Sequence, residues 1–165
     1  IRKWRKPAVF RAFGPAMTLG AWMVQTRTFS WAPVLVSIPS GLLVDAILHS
    51  NNLRDMAHDR DVPILTLPLL IGARAGRTVY RILVLGAFAT VPLLILWDFL
   101  PPTALLILLS LPLALSRIRA VDQLASPPRS MQDRQIDALT AQVHAAFSLL
   151  LLLGLGLPLA LPFLP

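Results

Sequence analysis

The sequence predicts an all-α integral membrane protein with about five transmembrane helices. Three observations support this. The composition is 56% apolar with a mean hydropathy of +0.69, above the 45–50% apolar content of an ordinary soluble domain. Several apolar segments approach the roughly 20 residues that cross a bilayer. The cationic residues are also segregated to one side of those segments, as the positive-inside rule requires.

Five apolar segments are the predicted spans. Prolines recur inside them and should kink their helices. The fourth is short and follows the third through the turn "DFLPP", so these two should form an antiparallel hairpin. Two polar loops, residues 49–78 and 117–142, connect the remaining spans and complete a single membrane domain over residues 1–165. The predicted spans are residues 8–24, 31–48, 79–96, 102–116 and 143–164.

The distribution of charge predicts the orientation in the membrane. If the N-terminus and both polar loops share one side, that side carries every one of the 15 Lys and Arg residues except Arg27. Cytoplasmic loops carry such an excess. We therefore expect a multi-pass protein with a cytoplasmic N-terminus and an external C-terminus.

The same charge limits the possible partners. A net charge of +7 and a pI near 11.5 are compatible with nucleic-acid binding, but the chain lacks long polar surfaces and interleaved aromatic and basic residues. Anionic lipid headgroups of the bilayer are the expected partner, and nucleic acid is not. The absence of cysteine excludes disulfides and thiolate metal sites.

One polar stretch interrupts this apolar chain, from Asp45 to Asp61. On a helix, residues three or four apart share a face. One such stripe consists of Asp45, His49, Asn52, Asp55 and Asp59, and a second, overlapping series consists of Asn51, Asp55 and Asp59.

These aligned carboxylates require a compensating charge. Neighbouring Asp55 and Asp59 repel each other at i, i+4, and Arg54, Arg60 or a divalent cation could offset the repulsion. Carboxylate and amide oxygens are ligands that suit Mg²⁺. The alternative is a helix that leaves the membrane and simply becomes polar. The depth of Asp45 and His49 favours a functional role, because ionisable residues inside a membrane are costly.

The motif "NNLRDMAHD" resembles the second aspartate-rich motif of the UbiA superfamily of membrane prenyltransferases. The segments "MVQTRTFSW", "GLLVDAILHSNNLRD" and "TLPLLIGARAGRTVY" follow the same family in order and spacing, the last through Thr66, Leu67 and Gly72. The closest resemblance is to the branch that prenylates 1,4-dihydroxy-2-naphthoate in menaquinone synthesis. It covers roughly residues 8–120 well and the last span loosely.

The resemblance implies the second half of a nine-helix bundle in the inner (cytoplasmic) membrane of a bacterium. The reaction implied is Mg²⁺-dependent transfer of an isoprenoid chain from a polyprenyl diphosphate to an aromatic acceptor. Asp55 and Asp59 would be catalytic and, with Asn51, would hold Mg²⁺, whereas Asn52 and Arg54 would bind the diphosphate. Because the chain begins at Ile1, we expect the family's first aspartate motif upstream.

Two positions differ from the family pattern. Pro63-Ile64 stands where the family usually has Gly-Lys, and Leu70 stands where an arginine is common. A second hypothesis is therefore a catalytically degenerate relative, which would have a structural or quinone- and lipid-binding role beside other membrane subunits. A third is a transporter that would use Asp45 and His49 as a proton relay.

Overall fold

A computed structural model describes residues 16–61 and 65–160, and within these residues it contains helices and turns but no β-strand. We number the α-helices in chain order. They are α1 (Met17–Thr26), α2 (Ala32–Arg54), α3 (Met56–Asp59), α4 (Leu67–Leu96), α5 (Leu111–Gln123), α6 (Met131–Arg134) and α7 (Ile136–Ala160), with a 3-10 helix, Pro102–Ser110, leading directly into α5.

Four helical segments in the described part are long and apolar enough to cross a membrane. They are Ala32–Arg54, Leu67–Leu96, Pro102–Gln123 and Ile136–Pro158. The prediction of an all-α membrane protein is thus confirmed. The first predicted span, 8–24, begins outside the described residues, and the helix at its end, α1, has only 10 residues.

The helices continue through much of what hydropathy assigned to loops. Within the predicted loop 49–78, α2 continues to Arg54 and α4 already begins at Leu67; within 117–142, α5 continues to Gln123 and α7 begins at Ile136. Hydropathy reports where a helix leaves the apolar layer. The backbone hydrogen bonds of a helix do not depend on that boundary, so polar turns extend each span.

Helix α2 lies at the centre, packed against both α4 and α7. Leu43 and Ala46 on α2 are fully buried. Phe88 of α4 and Phe147 of α7 meet edge to face with ring centroids 5.1 Å apart. Many leucines on the outer helix faces are exposed, as expected of a surface that contacts lipid rather than water.

A buried hydroxyl pair joins α4 to α7. The Thr140 hydroxyl donates to the Ile136 carbonyl over 2.7 Å, and the Tyr80 hydroxyl lies 3.0 Å from the same Thr140 oxygen. A hydroxyl has one hydrogen to donate, so Tyr80 is the donor in the second bond. Both side chains are fully buried, and this pairing satisfies groups that would otherwise be costly in an apolar interior.

Helix α4 contains a break at Gly72. Its φ of 83° and ψ of 159° are not helical, and they separate a short first turn from the long remainder. Residues with a Cβ rarely adopt a positive φ. The glycine that the sequence aligned with the family therefore has a backbone reason to be there.

Gly154 permits the closest approach between α7 and the 3-10 helix. A Cβ at this position would lie 2.6 Å from the Thr103 carbonyl oxygen and 2.9 Å from the Ala104 Cα. The Thr103 hydroxyl also donates to the Gly154 carbonyl over 2.5 Å. Because backbone atoms cannot move aside as a flexible side chain can, any larger residue must separate the two segments.

We predict that Gly154→Ala lowers the free energy of unfolding in detergent by about 1–3 kcal/mol, the usual cost of overpacking. Gly156→Ala is the matched control, since a Cβ there meets nothing within 4 Å and alanine is the better helix former. Thermal unfolding of both variants measures the difference. Equal melting temperatures for the two would contradict the close contact.

Candidate functional site

The acidic stripe lies where α2 passes into α3. Asp55 ends α2, with φ −89° and ψ 5°, yet the helical bonding continues across it. The Asp55 N–H donates to the Asn51 carbonyl over 3.0 Å, and the Asp59 N–H donates to the Asp55 carbonyl over 2.9 Å. Asn51, Asp55 and Asp59 therefore lie on successive turns of one helical path.

Arg54 is the centre of the polar contacts at this helix end. Its Nε and Nη2 donate to the two carboxylate oxygens of Asp55 over 2.7 and 2.9 Å, a two-pronged contact that suits guanidinium geometry. Nη2 also donates to the side-chain oxygen of Asn51. The oxygens proposed as ligands on Asn51 and Asp55 thus already accept from the neighbouring arginine.

The same guanidinium connects α2 to α7. Its Nη1 lies 2.9 Å from a carboxylate oxygen of Asp137 and donates to the Arg134 carbonyl over 2.9 Å. Asp137 belongs to the first turn of α7. No sequence pattern points to Asp137, because it lies about 80 residues from the motif and no local spacing relates the two.

Further along α2, His49 joins the site to α4. Its Nε2 lies 2.8 Å from the Gly76 carbonyl, and since a carbonyl only accepts, Nε2 carries the hydrogen. Gly76 packs closely on α2, because a Cβ there would lie 2.8 Å from a terminal methyl of Leu53, which would have to shift. This tight packing places the polar end of α2 against the beginning of α4. Asp45 is half-buried one turn earlier.

Two buried polar atoms, one near the end of α2 and one just before α4, have no hydrogen-bond partner among the described residues. They are the side-chain nitrogen of Asn52 and the hydroxyl of Thr66. Asn52 is 8% exposed and Thr66 is 6% exposed. Such atoms are uncommon in native proteins and call for a ligand, water or ion. An amide nitrogen and a hydroxyl can both donate to the oxygens of an anion.

The acidic stripe fits Mg²⁺ only if other ligands, such as water and phosphate oxygens, complete the metal's coordination shell. In the part of the chain that the structure describes, no three His, Cys, Asp or Glu side chains lie close enough together to hold a metal ion. Asp55, Asp59 and the Asn51 amide offer hard oxygens of the right chemistry. Mg²⁺ usually binds through one or two carboxylates and completes its shell with water and phosphate oxygens, so this donor set suits a metal that arrives with a diphosphate.

Of the two departures from the family pattern, the structure describes only Leu70. Leu70 is 48% exposed on the first turn of α4. Pro63-Ile64 lies outside the described residues.

Comparison with known proteins decides the family. The model of the UbiA prenyltransferase family matches residues 4–134. The chain belongs to the UbiA prenyltransferase family. The match includes the whole acidic stripe and the segment from Thr66 to Tyr80, which are the residues on which the resemblance was based.

Individual relatives are animal members of this family. The chain is 42% identical over 77 residues to a UbiA prenyltransferase domain-containing protein 1 homolog of Drosophila melanogaster, 47% of this chain. It is 41% identical over 71 residues, 43% of this chain, to UbiA prenyltransferase domain-containing protein 1 of Homo sapiens. Each match spans 21% of the relative's own length. No solved structure matches the chain.

The short helix α6, which supplies the Arg134 carbonyl, is held by a capping box. The Asp133 N–H donates to the Ser130 hydroxyl over 3.0 Å. The Asp133 carboxylate accepts from the Arg129 and Ser130 N–H groups over 2.9 and 3.1 Å. The backbone N–H of Arg129, followed by the bonds from Ser130, lowers the pKa of Asp133 below its ordinary value.

We predict a pH-dependent contribution from this cap. Because the folded pKa of Asp133 is lowered, the ionised carboxylate stabilises the folded state above the ordinary Asp pKa of about 3.9. That contribution is lost as the pH falls through the folded pKa. At pH 7, Asp133→Asn should therefore lower the protection of the Arg129 and Ser130 amides in hydrogen exchange.

The matched control is Asp98→Asn, which changes an exposed aspartate outside the cap. The difference in protection between wild type and Asp133→Asn should disappear at a pH below the folded pKa. A difference that is constant from pH 7 to pH 3 would show that the carboxylate charge has no part in the cap.

Proposed function

We propose that the protein transfers an isoprenoid chain from a polyprenyl diphosphate to an aromatic acceptor such as 1,4-dihydroxy-2-naphthoate. The observation that carries this proposal is the alignment of Asn51, Asp55 and Asp59 on successive turns at the end of a membrane-length helix. A polyprenyl diphosphate has a polar diphosphate and an apolar isoprenoid chain, so it suits a site where an apolar helix becomes polar. Membership of a prenyltransferase family supports it.

In this proposal Asn51, Asp55 and Asp59 hold Mg²⁺ that is also bound by the diphosphate. The metal would supply neutralisation of the charge that develops on the leaving diphosphate. Asn52 contributes its unpartnered amide nitrogen as a donor to a phosphate oxygen. Burial of Asn52 strengthens the case, because a buried donor without a partner gains most from one.

Arg54 then has two roles, one before the substrate binds and one after. Without a ligand, its guanidinium neutralises Asp55 and occupies the Asn51 oxygen. When substrate arrives, its donors can turn to phosphate oxygens, which guanidinium binds in the same two-pronged manner. Asp137 and the Arg134 carbonyl keep the guanidinium near the site during this exchange.

The chemical step follows from the substrate class. The bond between the allylic carbon and the diphosphate oxygen breaks, both electrons leave with the diphosphate, and the electron-rich ring attacks the carbocation-like carbon. The attacked ring carbon then loses the group it carried, a proton or, at a carboxylated position, carbon dioxide, and the electron pair of that broken bond restores the aromatic ring. The protein must keep water from that carbon, which the apolar walls of the helices favour. The remaining aspartate motif, on family resemblance, would come from a segment other than residues 16–160.

One observation favours the second hypothesis, a structural or quinone- and lipid-binding subunit. Both carboxylate oxygens of Asp55 are engaged by Arg54, which also bridges to Asp137. An arginine held in this way on two helices can serve simply to join them. The two hypotheses predict different results when the Asp55 carboxylate is removed, because only the enzyme would lose prenylation activity.

We predict that Asp55→Ala and Asp59→Asn each reduce Mg²⁺-dependent prenylation of 1,4-dihydroxy-2-naphthoate by about 100-fold or more, since electrostatic stabilisation of this kind carries effects of that size. The assay uses membranes that contain the full-length protein, with radiolabelled polyprenyl diphosphate. Asp61→Asn is the matched control, because Asp61 is an exposed neighbour outside the stripe. Wild-type activity in Asp55→Ala, at equal protein level, would refute the catalytic role and leave the structural one.

For the membrane we propose the orientation that the cations indicate, in the cytoplasmic membrane of a bacterium. The α2–α3 junction and the beginning of α7 would then lie on the cytoplasmic side. The turn between α4 and the 3-10 helix would lie outside.

Absence of cysteine makes this orientation directly measurable in the chain. We predict that a membrane-impermeant maleimide added to intact cells labels Phe99→Cys and leaves Gln123→Cys unlabelled. Both positions are exposed; Phe99 lies in the turn just before the Pro102–Gln123 segment and Gln123 is its last residue. Lysed cells should label both, and the reverse pattern in intact cells would invert the proposed topology.

A further inference from the structure

A cleft of about 190 Å³ lies beside the α2–α3 junction, and the proposed catalytic stripe does not use it. Segments from α3, from the first half of α4 and from the loop after α5 enclose it. Its lining residues are Met56, Ala57, Arg60, Ala73, Arg77 and Ser126. Two arginines from different segments therefore border one small cleft.

This cleft faces away from the acidic stripe. Successive residues of a helix are about 100° apart, so Ala57 and Arg60 lie about 200° and 140° round the helical path from Asp55. Asn51 and Asp59 lie within about 40° of Asp55 on the same measure. The junction thus presents carboxylates on one side and a basic cleft on the other.

No described acidic residue pairs with the two cleft arginines. Arg54 and Arg81 each pair with aspartates. In the described residues Arg60 and Arg77 form no ion pair. Arg77 donates only to a neutral acceptor, the Leu124 carbonyl, over 2.9 Å, which holds its guanidinium in place and leaves the charge available.

The loop that closes the cleft is tied to the helix junction. The Ala57 N–H donates to the Ser126 hydroxyl oxygen over 3.1 Å, and that hydroxyl lies 3.5 Å from the Arg54 carbonyl. The cleft is therefore built by packed segments. These segments are α3, which follows the end of α2, the first half of α4 and the loop after α5; in the proposed orientation all of them lie on the cytoplasmic side.

We propose that this cleft binds the phosphate group of an anionic membrane lipid. Guanidinium groups recognise phosphate oxygens. Two arginines without acidic partners in one cleft should attract an anionic lipid more strongly than a basic surface does in general. Further along α4, exposed Leu85 lies about 80° round the helix from Arg77 and offers an apolar contact to an acyl chain. The proposal does not depend on prenyl transfer.

The test is a titration of the purified full-length protein with phosphatidylglycerol, read by native mass spectrometry. Arg60→Gln should weaken binding about tenfold, the usual effect of one charge-assisted contact. Arg77→Gln should do the same, and the double variant should lose more. Arg119→Gln removes an equal charge from an exposed position outside the cleft and should change the affinity less than twofold.

Arg77 also holds the loop through Leu124, so melting temperatures without lipid accompany each titration. Arg60 has no such contact in the described chain, and its variant keeps the test valid if Arg77→Gln is unstable. Inorganic phosphate is the competing arm. If millimolar phosphate displaces phosphatidylglycerol, the cleft is a phosphate site filled from solution. If it does not, the result supports binding of a lipid headgroup. Equal binding of phosphatidylcholine, or wild-type affinity in Arg60→Gln, would overturn the proposal.

Discussion

The guanidinium group of Arg54 is the interaction on which the polar end of this protein depends. It lies against the two oxygens of Asp55 and the amide of Asn51, and it reaches Asp137 and the Arg134 carbonyl on the opposite side. Without it, a carboxylate would end a membrane helix uncompensated, which is costly. One side chain thereby both pairs with Asp55 and joins α2 to α7.

The remainder of the bundle is positioned by close backbone approach. Gly76 lies against Leu53 where α2 meets α4, and Gly154 lies against Thr103 where α7 meets the 3-10 helix. Small residues of this kind allow packing and interhelical hydrogen bonds where the surrounding lipid provides no hydrophobic drive. The bonds from His49 to Gly76 and from Tyr80 to Thr140 satisfy polar groups within these contacts.

The α2–α3 junction separates opposite charges by helical geometry alone. Asp55 pairs with Arg54, and Arg60 lines the cleft with Arg77. The proposed substrate and lipid sites would then lie on opposite sides of the same helix junction. Ser126, which lines the cleft, contacts both the Ala57 N–H and the Arg54 carbonyl at that junction.

The sequence by itself determined the all-α membrane class, because hydropathy and length decide which segments can cross a bilayer. It also determined the family, through a motif whose residues are close in the chain, and the alignment of Asn51, Asp55 and Asp59, because helical spacing is local. The tertiary structure alone revealed Asp137, the Gly76 contact of His49 and the Arg60–Arg77 cleft. Each of these joins residues that are far apart in the chain and meet only when the helices pack, and no local pattern records such a meeting.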